Sequence, residues 1–346
     1  MNVKIGKNML GKLDGYLKDT GINNLYIITD ENINRLYYNS LQEALKEYNY
    51  NNYAFPPGEK SKSIYTVLSI YDNLIKNNID RNTLIIGLGG GVVGDIAGFV
   101  ASTFKRGINY IQIPTTLLAQ VDSSIGGKVG IDYGGLKNVI GSFYFPNMII
   151  IDILFLETLS NRDIICGLGE VFKYGLIADY NLFEFTSINL SNIYRKDEDI
   201  LLNIINRSVA IKKDIVYRDK YDEGIRRILN FGHTIGHGIE AYYKFNKFNH
   251  GEAVILGMIY ESHIAKGLGL IDERYFEKIY KVLKKLIVPI KFNIEEIKSL
   301  IKIMENDKKN VDGKITFVLP TGKGQVDLFN DIDEELIISS LKGGWF

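Results

Sequence analysis

The sequence predicts an N-terminal α/β domain built on a parallel sheet, followed by a mainly α-helical C-terminal domain. Three observations predict it. Short apolar runs alternate with helical segments as far as Asp152, the pattern of strands joined by crossover helices. A glycine cluster, Gly89-Gly90-Gly91-Val92-Val93-Gly94, directly follows one of those runs. Beyond Leu156 the strand signals give way to helical periodicity. At 346 residues the chain exceeds one ordinary core, so two domains are expected.

Residues 25–29 form a short apolar run ending at Asp30, which reads as a strand with its carboxyl-end turn. Over 64–75, Ile64, Val67, Leu68, Tyr71 and Ile75 recur at helical spacing. Residues 83–88 read as a buried strand, 95–103 as a helix, and 110–113 and 148–152 as further strands. Helices are then expected over 162–178, 200–217, 228–243, 251–266 and 274–286, with a late strand at 315–319 before Pro320-Thr321-Gly322. The boundary falls near 153–160, giving domains 1–155 and 156–346. No repeat or low-complexity linker separates them, so close packing is expected, with the active site in the cleft between the domains.

Composition excludes several classes. Apolar residues make up 46%, enough to fill two cores, and Lys plus Arg equals Asp plus Glu at 41 each. A balanced chain without a basic block is not a nucleic-acid binder by composition. Cys166 is the single cysteine, which excludes an internal disulfide and suits a reducing, cytoplasmic compartment. Residues 1–13 contain no signal-like apolar stretch, and no run approaches the length of a membrane span.

The glycine cluster has the form G-x-G-x-x-G after a strand, so the N-terminal domain reads as Rossmann-like. Without a Cβ, the backbone can approach a pyrophosphate, whose charge is met by N–H groups at the next helix start. The usual acidic residue about twenty positions on is missing; Ile111-Gln112-Ile113-Pro114-Thr115 stands there. A ribose acid would have to come from Asp30 or from Glu59. Three of the four histidines, His233, His237 and His250, fall within eighteen positions of one another. With a carboxylate such as Glu170, set among small residues, they could supply the three protein ligands of a catalytic zinc site. The alternative is that they are core or capping residues. Lys128, Lys137, Lys173, Lys212, Arg106 and Arg226 lie beside glycines, asparagines or carboxylates. Singly each would be a solvated surface charge; together they suit a small, multiply anionic substrate.

Several segments carry a resemblance: PPGEKSK (56–62), GGGVVGD (89–95), RGINYIQIPTTLLAQVDSSIGGK (106–128), LKNVIG (136–141), GLGEVFKYG (167–175), LNFGHTIGHGIEA (229–241), HGEAV (250–254) and DKKNVDGKITFVLPTG (307–322). In this combination and order the chain resembles the 3-dehydroquinate synthases. The resemblance implies a phosphorus–oxygen lyase of the shikimate pathway, which leads to chorismate and the aromatic amino acids. It would convert 3-deoxy-D-arabino-heptulosonate 7-phosphate to 3-dehydroquinate and phosphate by transient NAD oxidation, phosphate elimination, reduction and intramolecular aldol closure. It also implies NAD, one divalent metal (zinc or cobalt) and a homodimer.

Carried onto matching positions, the implied metal ligands are Glu170, His233 and His250, with His237 a substrate contact. The implied NAD contacts are Asp30, Asn32, Glu59, Lys62, Gly91, Val92, Asp95, Thr115, Thr116, Lys128 and Lys137, with Phe155 and Thr158 in a following turn. The implied substrate contacts are Asp122, Lys128, Asn138, Lys173, Lys212, Arg226, Asn230, His237 and one or both of Lys308 and Lys309. Arg106 is implied to reach the site of a neighbouring subunit. Three positions depart from the family pattern: Asp222 stands where Glu is frequent, Asp132 where Asn is common, and Leu136 where Gly is common. A metal-dependent glycerol-type dehydrogenase and another sugar-phosphate cyclase are the rival readings.

Overall fold

The computed structural model describes residues 1–18, 21–305 and 314–345. It divides into two compact units, Met1–Ile164 with Lys196–Lys213, and Ile165–Arg195 with Asp214–Phe346. Among the described residues no helix is long and apolar enough to cross a membrane.

The first unit runs β1 (Val3–Gly6), α1 (Leu13–Lys18), β2 (Asn24–Asp30), α2 (Glu31–Ala44), β3 (Asn49–Phe55), α3 (Ile64–Lys76), β4 (Leu84–Gly89), α4 (Gly91–Thr103), β5 (Tyr110–Pro114), β6 (Lys128–Tyr133), β7 (Leu136–Phe143) and β8 (Met148–Asp152). Six strands make one sheet in the order β1-β8-β5-β4-β2-β3, and every pairing is parallel. Side-chain alternation puts apolar residues on both faces. Tyr26 and Ile28 of β2 join one core with Val67, Ile70, Ile96 and Val100. Leu25 and Ile27 join the other with Leu13, Leu41 and Ile150. From β2 the chain runs outward to β3 and returns past β2 to β4, so the strand order reverses between β2 and β4. The carboxyl ends of strands at such a reversal form a crevice where ligands bind.

The helices differ from expectation in two places here. α4 starts at Gly91, a full turn before Asp95, because Gly90 caps it in an extended conformation. On α3 the buried stripe is Val67, Ile70 and Leu74, whereas Leu68 and Ile75 are exposed. β6 and β7 form a separate antiparallel hairpin. Its two-residue turn, Gly134-Gly135, has φ of 60° and 78°, which a tight hairpin turn requires.

α5 (Asn161–Ile177) starts in the first unit and continues into the second. α6 (Tyr180–Ile188) and α7 (Leu190–Tyr194) follow, and α8 (Glu198–Arg218) lies in the first unit as far as Lys213. The second unit continues with α9 (His233–Tyr242), α10 (His250–Gly267), α11 (Glu273–Leu283), α12 (Ile294–Glu305), the antiparallel pair β9 (Phe317–Gly322) and β10 (Gln325–Phe329), and α13 (Glu334–Lys342). α10 is its axis, buried from Gly251 to Ala265. The single helix expected over 228–243 is broken: Ile225–Asn230 is a 3-10 helix, and Gly232 turns the chain at φ 78° before α9 begins.

Candidate functional site

In the first unit the residues assigned to NAD, apart from Lys128 and Lys137 on the β6–β7 hairpin, follow the carboxyl ends of five strands. Asp30 ends β2 and caps α2, its Oδ1 accepting from Asn32 N and Ile33 N at 2.9 and 3.0 Å. Glu59 and Lys62 follow β3. Gly91, Val92 and Asp95 open α4 after β4. Thr115 and Thr116 follow β5, and Thr115 N donates to Gly89 O at 3.0 Å. Phe155 and Thr158 belong to a 3-10 helix, Ile153–Thr158, that follows β8.

The glycine turn fits a phosphate. The N-cap residue Gly90 has no side chain to cap the first N–H groups of α4, which leaves them as donors suited to an anion. A Cβ on Gly91 would lie 3.1 Å from Ser123 Oγ, and one on Gly90 3.2 Å from Thr116 Cγ2. The buried Thr115 hydroxyl has no partner among the described residues, as expected of a group that meets a ligand. Lys62 is 6% exposed and pairs with Asp95 at 2.5 Å. Burial pushes its ammonium down, but Asp95 and Glu59 outweigh that and hold it above its ordinary range. Lys62 also donates to Asn138 Oδ1. Asn138, at φ 51°, donates its backbone N–H to Asp132 Oδ1 at 2.8 Å. The carboxylate at 132 therefore shapes the hairpin beside Lys62. Lys137 lies 3.8 Å from Glu59.

Two more candidates meet in this unit. Lys212 Nζ, on α8, donates to the backbone oxygen and to Oδ1 of Asp122, each at 2.7 Å. Lys128 opens β6 and is exposed. Arg106 is exposed in a left-handed turn, with φ of 50°, 68° and 109° at Lys105, Arg106 and Gly107.

Sequence reasoning missed two residues that hold the turn at 155–158. Tyr37 packs edge-on against Phe155, ring centroids 4.7 Å apart, and its hydroxyl meets Thr158 Oγ1 at 3.0 Å. Lys196 Nζ donates to the carbonyls of Glu157 and Leu159 at 2.6 and 2.9 Å.

In the second unit, glycines bring the metal candidates together. A Cβ on Gly169 would lie 2.8 Å from Gly251 O, and one on Gly251 would overlap the Cys166 carbonyl. The α5 and α10 backbones therefore touch, which sets Glu170 beside His250. A Cβ on Gly236 would lie 2.9 Å from Ala253 O, so α9 approaches α10 as closely and brings His233. Glu170 is fully buried, and the Nε2 atoms of His233 and His250 each lie 3.6 Å from its Oε1. Zinc bonds of about 2.1 Å in tetrahedral geometry separate two ligand atoms by roughly 3.4 Å, so the three residues fit one ion. Among the described residues neither carboxylate oxygen of Glu170 has a regular hydrogen bond; the Lys173 ammonium pairs with Oε2.

The far nitrogens of the imidazoles are held too. His233 Nδ1 meets Phe231 O at 3.0 Å, and His250 Nδ1 meets Glu240 Oε2 at 3.3 Å. Both contacts turn Nε2 toward Glu170, the arrangement of second-layer partners around metal-bound histidines. Burial pushes the His250 imidazole down, but Glu170 and Glu240 outweigh it and lift it to about 9. His237 lies near both rings, edge-on to His233 at 5.1 Å between centroids and tilted against His250 at 5.8 Å. His237, Glu240 and His250 form a second group with metal-ligand spacing. Glu170 favours the first group, because its buried carboxylate faces both Nε2 atoms.

Arg226 is 3% exposed and donates from Nη1 to Lys220 O at 3.0 Å. Asn230 ends the 3-10 helix before Gly232. Asp222 takes a left-handed φ of 65°. Lys308 and Lys309 lie outside the described residues.

Solved structures define the class. The 2-epi-5-epi-valiolone synthase of Streptomyces hygroscopicus subsp. jinggangensis 5008, with NAD+ and Zn2+ bound, matches with a TM-score of 0.91 at 26% identity, covering 98% of this chain and 95% of that one. A 2-deoxy-scyllo-inosose synthase complexed with carbaglucose-6-phosphate, NAD+ and Co2+ matches with a TM-score of 0.88 at 27% identity, covering 99% and 96%. The fold is that of the sugar-phosphate cyclases. Family models narrow it, the 3-dehydroquinate synthase N-terminal model matching residues 52–166 and the C-terminal model residues 167–310. The 3-dehydroquinate synthase of Alkaliphilus metalliredigens (strain QYMF) is 44% identical over 334 residues, 96% of this chain and 93% of its own. The chain belongs to the 3-dehydroquinate synthase family.

Proposed function

We propose that this chain converts 3-deoxy-D-arabino-heptulosonate 7-phosphate to 3-dehydroquinate and phosphate, as a phosphorus–oxygen lyase using NAD and one zinc or cobalt ion. The observation that carries the reading is the convergence of His233 and His250 on the buried Glu170, with both Nε2 atoms 3.6 Å from one carboxylate oxygen. When bound, the metal would supply a Lewis acid for substrate hydroxyls, and NAD a two-electron acceptor that is restored in each turnover.

The protein's own part is binding and charge. The uncapped start of α4, with Gly91, Val92 and Thr115, would take the pyrophosphate. Asp30 and Asn32, at the end of β2, would meet a ribose. Asp122 would hold the Lys212 ammonium in place for an anionic group. Lys128, Lys173, Arg226, Asn230, Asn138 and His237 would complete the contacts to carboxylate, phosphate and hydroxyls. Cations around a departing phosphate stabilise the charge that develops on it. A homodimer, with Arg106 of one protomer serving the other, and a cytoplasmic location belong to the same reading.

The test is a phosphate-release assay on purified protein with zinc, the heptulosonate phosphate and catalytic NAD. Phosphate release without net NADH is expected. NADH accumulation on glycerol without phosphate release would overturn the proposal in favour of a polyol dehydrogenase.

A further inference from the structure

We propose that Glu240 and Glu261, two buried carboxylates outside the ligand set, are reciprocal positioning residues that preorganise His250 and His233 and thereby set metal affinity. The proposal rests on the reading of Glu170, His233 and His250 as the metal ligands. Each of the two helices carries one of the ligand histidines and one of these two carboxylates. α9 supplies His233 and Glu240; α10 supplies His250 and Glu261. Each carboxylate acts on the other helix.

Glu240 is 3% exposed, and its Oε2 lies 3.3 Å from His250 Nδ1. A carboxylate can only accept, so in the neutral imidazole that a metal requires it selects the tautomer with hydrogen on Nδ1 and a lone pair on Nε2. That lone pair faces Glu170. A glutamine could donate to Nδ1 instead and admit the wrong tautomer.

Glu261 is fully buried. Its Oε2 accepts from Gly232 N at 2.6 Å and its Oε1 from Ile235 N at 3.1 Å. These N–H groups belong to the start of α9, where helix donors lack internal partners. Ser, Thr, Asp or Asn usually caps such a start. None can stand at Gly232, where φ is 78° and a Cβ would lie 2.7 Å from Val254 O. The cap is therefore supplied by α10, and His233 is the first residue of the helix it fixes. The two donors use different oxygens, so an amide in the same pose would turn its NH2 toward one of them and leave that donor unmet.

The experiment measures zinc affinity by competition with a chromophoric chelator, and the visible spectrum of the Co2+-loaded protein, for the parent, Glu240→Gln and Glu261→Gln. NAD binding, assigned to the first unit, serves as the control for global damage. Each substitution should weaken zinc binding by about 10-fold or more with NAD affinity retained, and Glu240→Gln should shift the Co2+ bands. Parent-like zinc affinity and Co2+ spectrum in Glu240→Gln would overturn the proposal. If Glu261→Gln fails to fold, Glu240→Gln alone decides. A parent that binds no zinc overturns the ligand reading, and this proposal with it.

Discussion

At the scale of single residues, charge in the wrong surroundings was the legible signal. Glu170 stands among glycines and apolar residues, and three histidines fall close together, so a pool of metal candidates could be drawn from the residues alone, one that still included His237, which only the family resemblance set aside. Glu240 and Glu261 were not drawn, although each carries the same mark. Glu240 lies seven residues after His233 on one helix face, and Glu261 interrupts the apolar run of α10. Their partners belong to other helices, and periodicity does not report on those. Lys173 shows the same limit. Its ammonium is 2% exposed and paired with Glu170. Removing one member of a buried pair leaves an uncompensated charge. In chelator, Glu170→Leu should therefore lose about 3 kcal/mol or more of unfolding free energy. Adding Lys173→Met should recover most of that loss without restoring metal binding. Urea unfolding of the single and double variants checks this, and a single variant as stable as the parent would refute it.

At the scale of elements, the four inner strands β2, β4, β5 and β8 were legible because they are buried and bounded by turn residues; the edge strands β1 and β3, only partly buried, were not. Helix starts at glycine were not. Gly90 and Gly232 place the starts of α4 and α9 where hydrophobic spacing says nothing. The packing of α10 against the chain end was also hidden. His263 stacks on Trp345 at 4.2 Å between centroids and meets Phe276 edge-on. Burial, with Lys266 nearby, pushes its pKa down to about 4. The unfolded chain therefore takes up this proton before the folded one. The stability it contributes is present above pH 6.5 and is lost as pH falls toward 4. Between pH 7.5 and 5 the loss should be about 2 kcal/mol. His263→Leu should flatten that part of the stability–pH curve, as read by urea midpoints at both values. An unchanged slope would mean that another group titrates there.

At the scale of the whole molecule, an α/β part followed by a helical part could be read from the order of elements. The return of Lys196–Lys213 to the first unit left no mark in composition or spacing. It has a functional corollary, since Lys196 grips the carbonyls on either side of Thr158. Lys196→Met should weaken NAD binding several-fold while zinc affinity stays constant, and titration calorimetry with each ligand separates the two. Equal NAD affinity would leave Lys196 as a surface contact only. In the second unit, Glu170, Glu240, Glu252 and Glu261 are all buried, against the two buried cations Lys173 and Arg226. That interior carries a formal surplus of negative charge, which a dication would neutralise. On the metal reading, the ion is then a folding ligand as well as a catalytic one, and stability rises with the logarithm of its free concentration. A cell starved of zinc or cobalt would thus hold less of the folded protein, in addition to leaving what remains inactive.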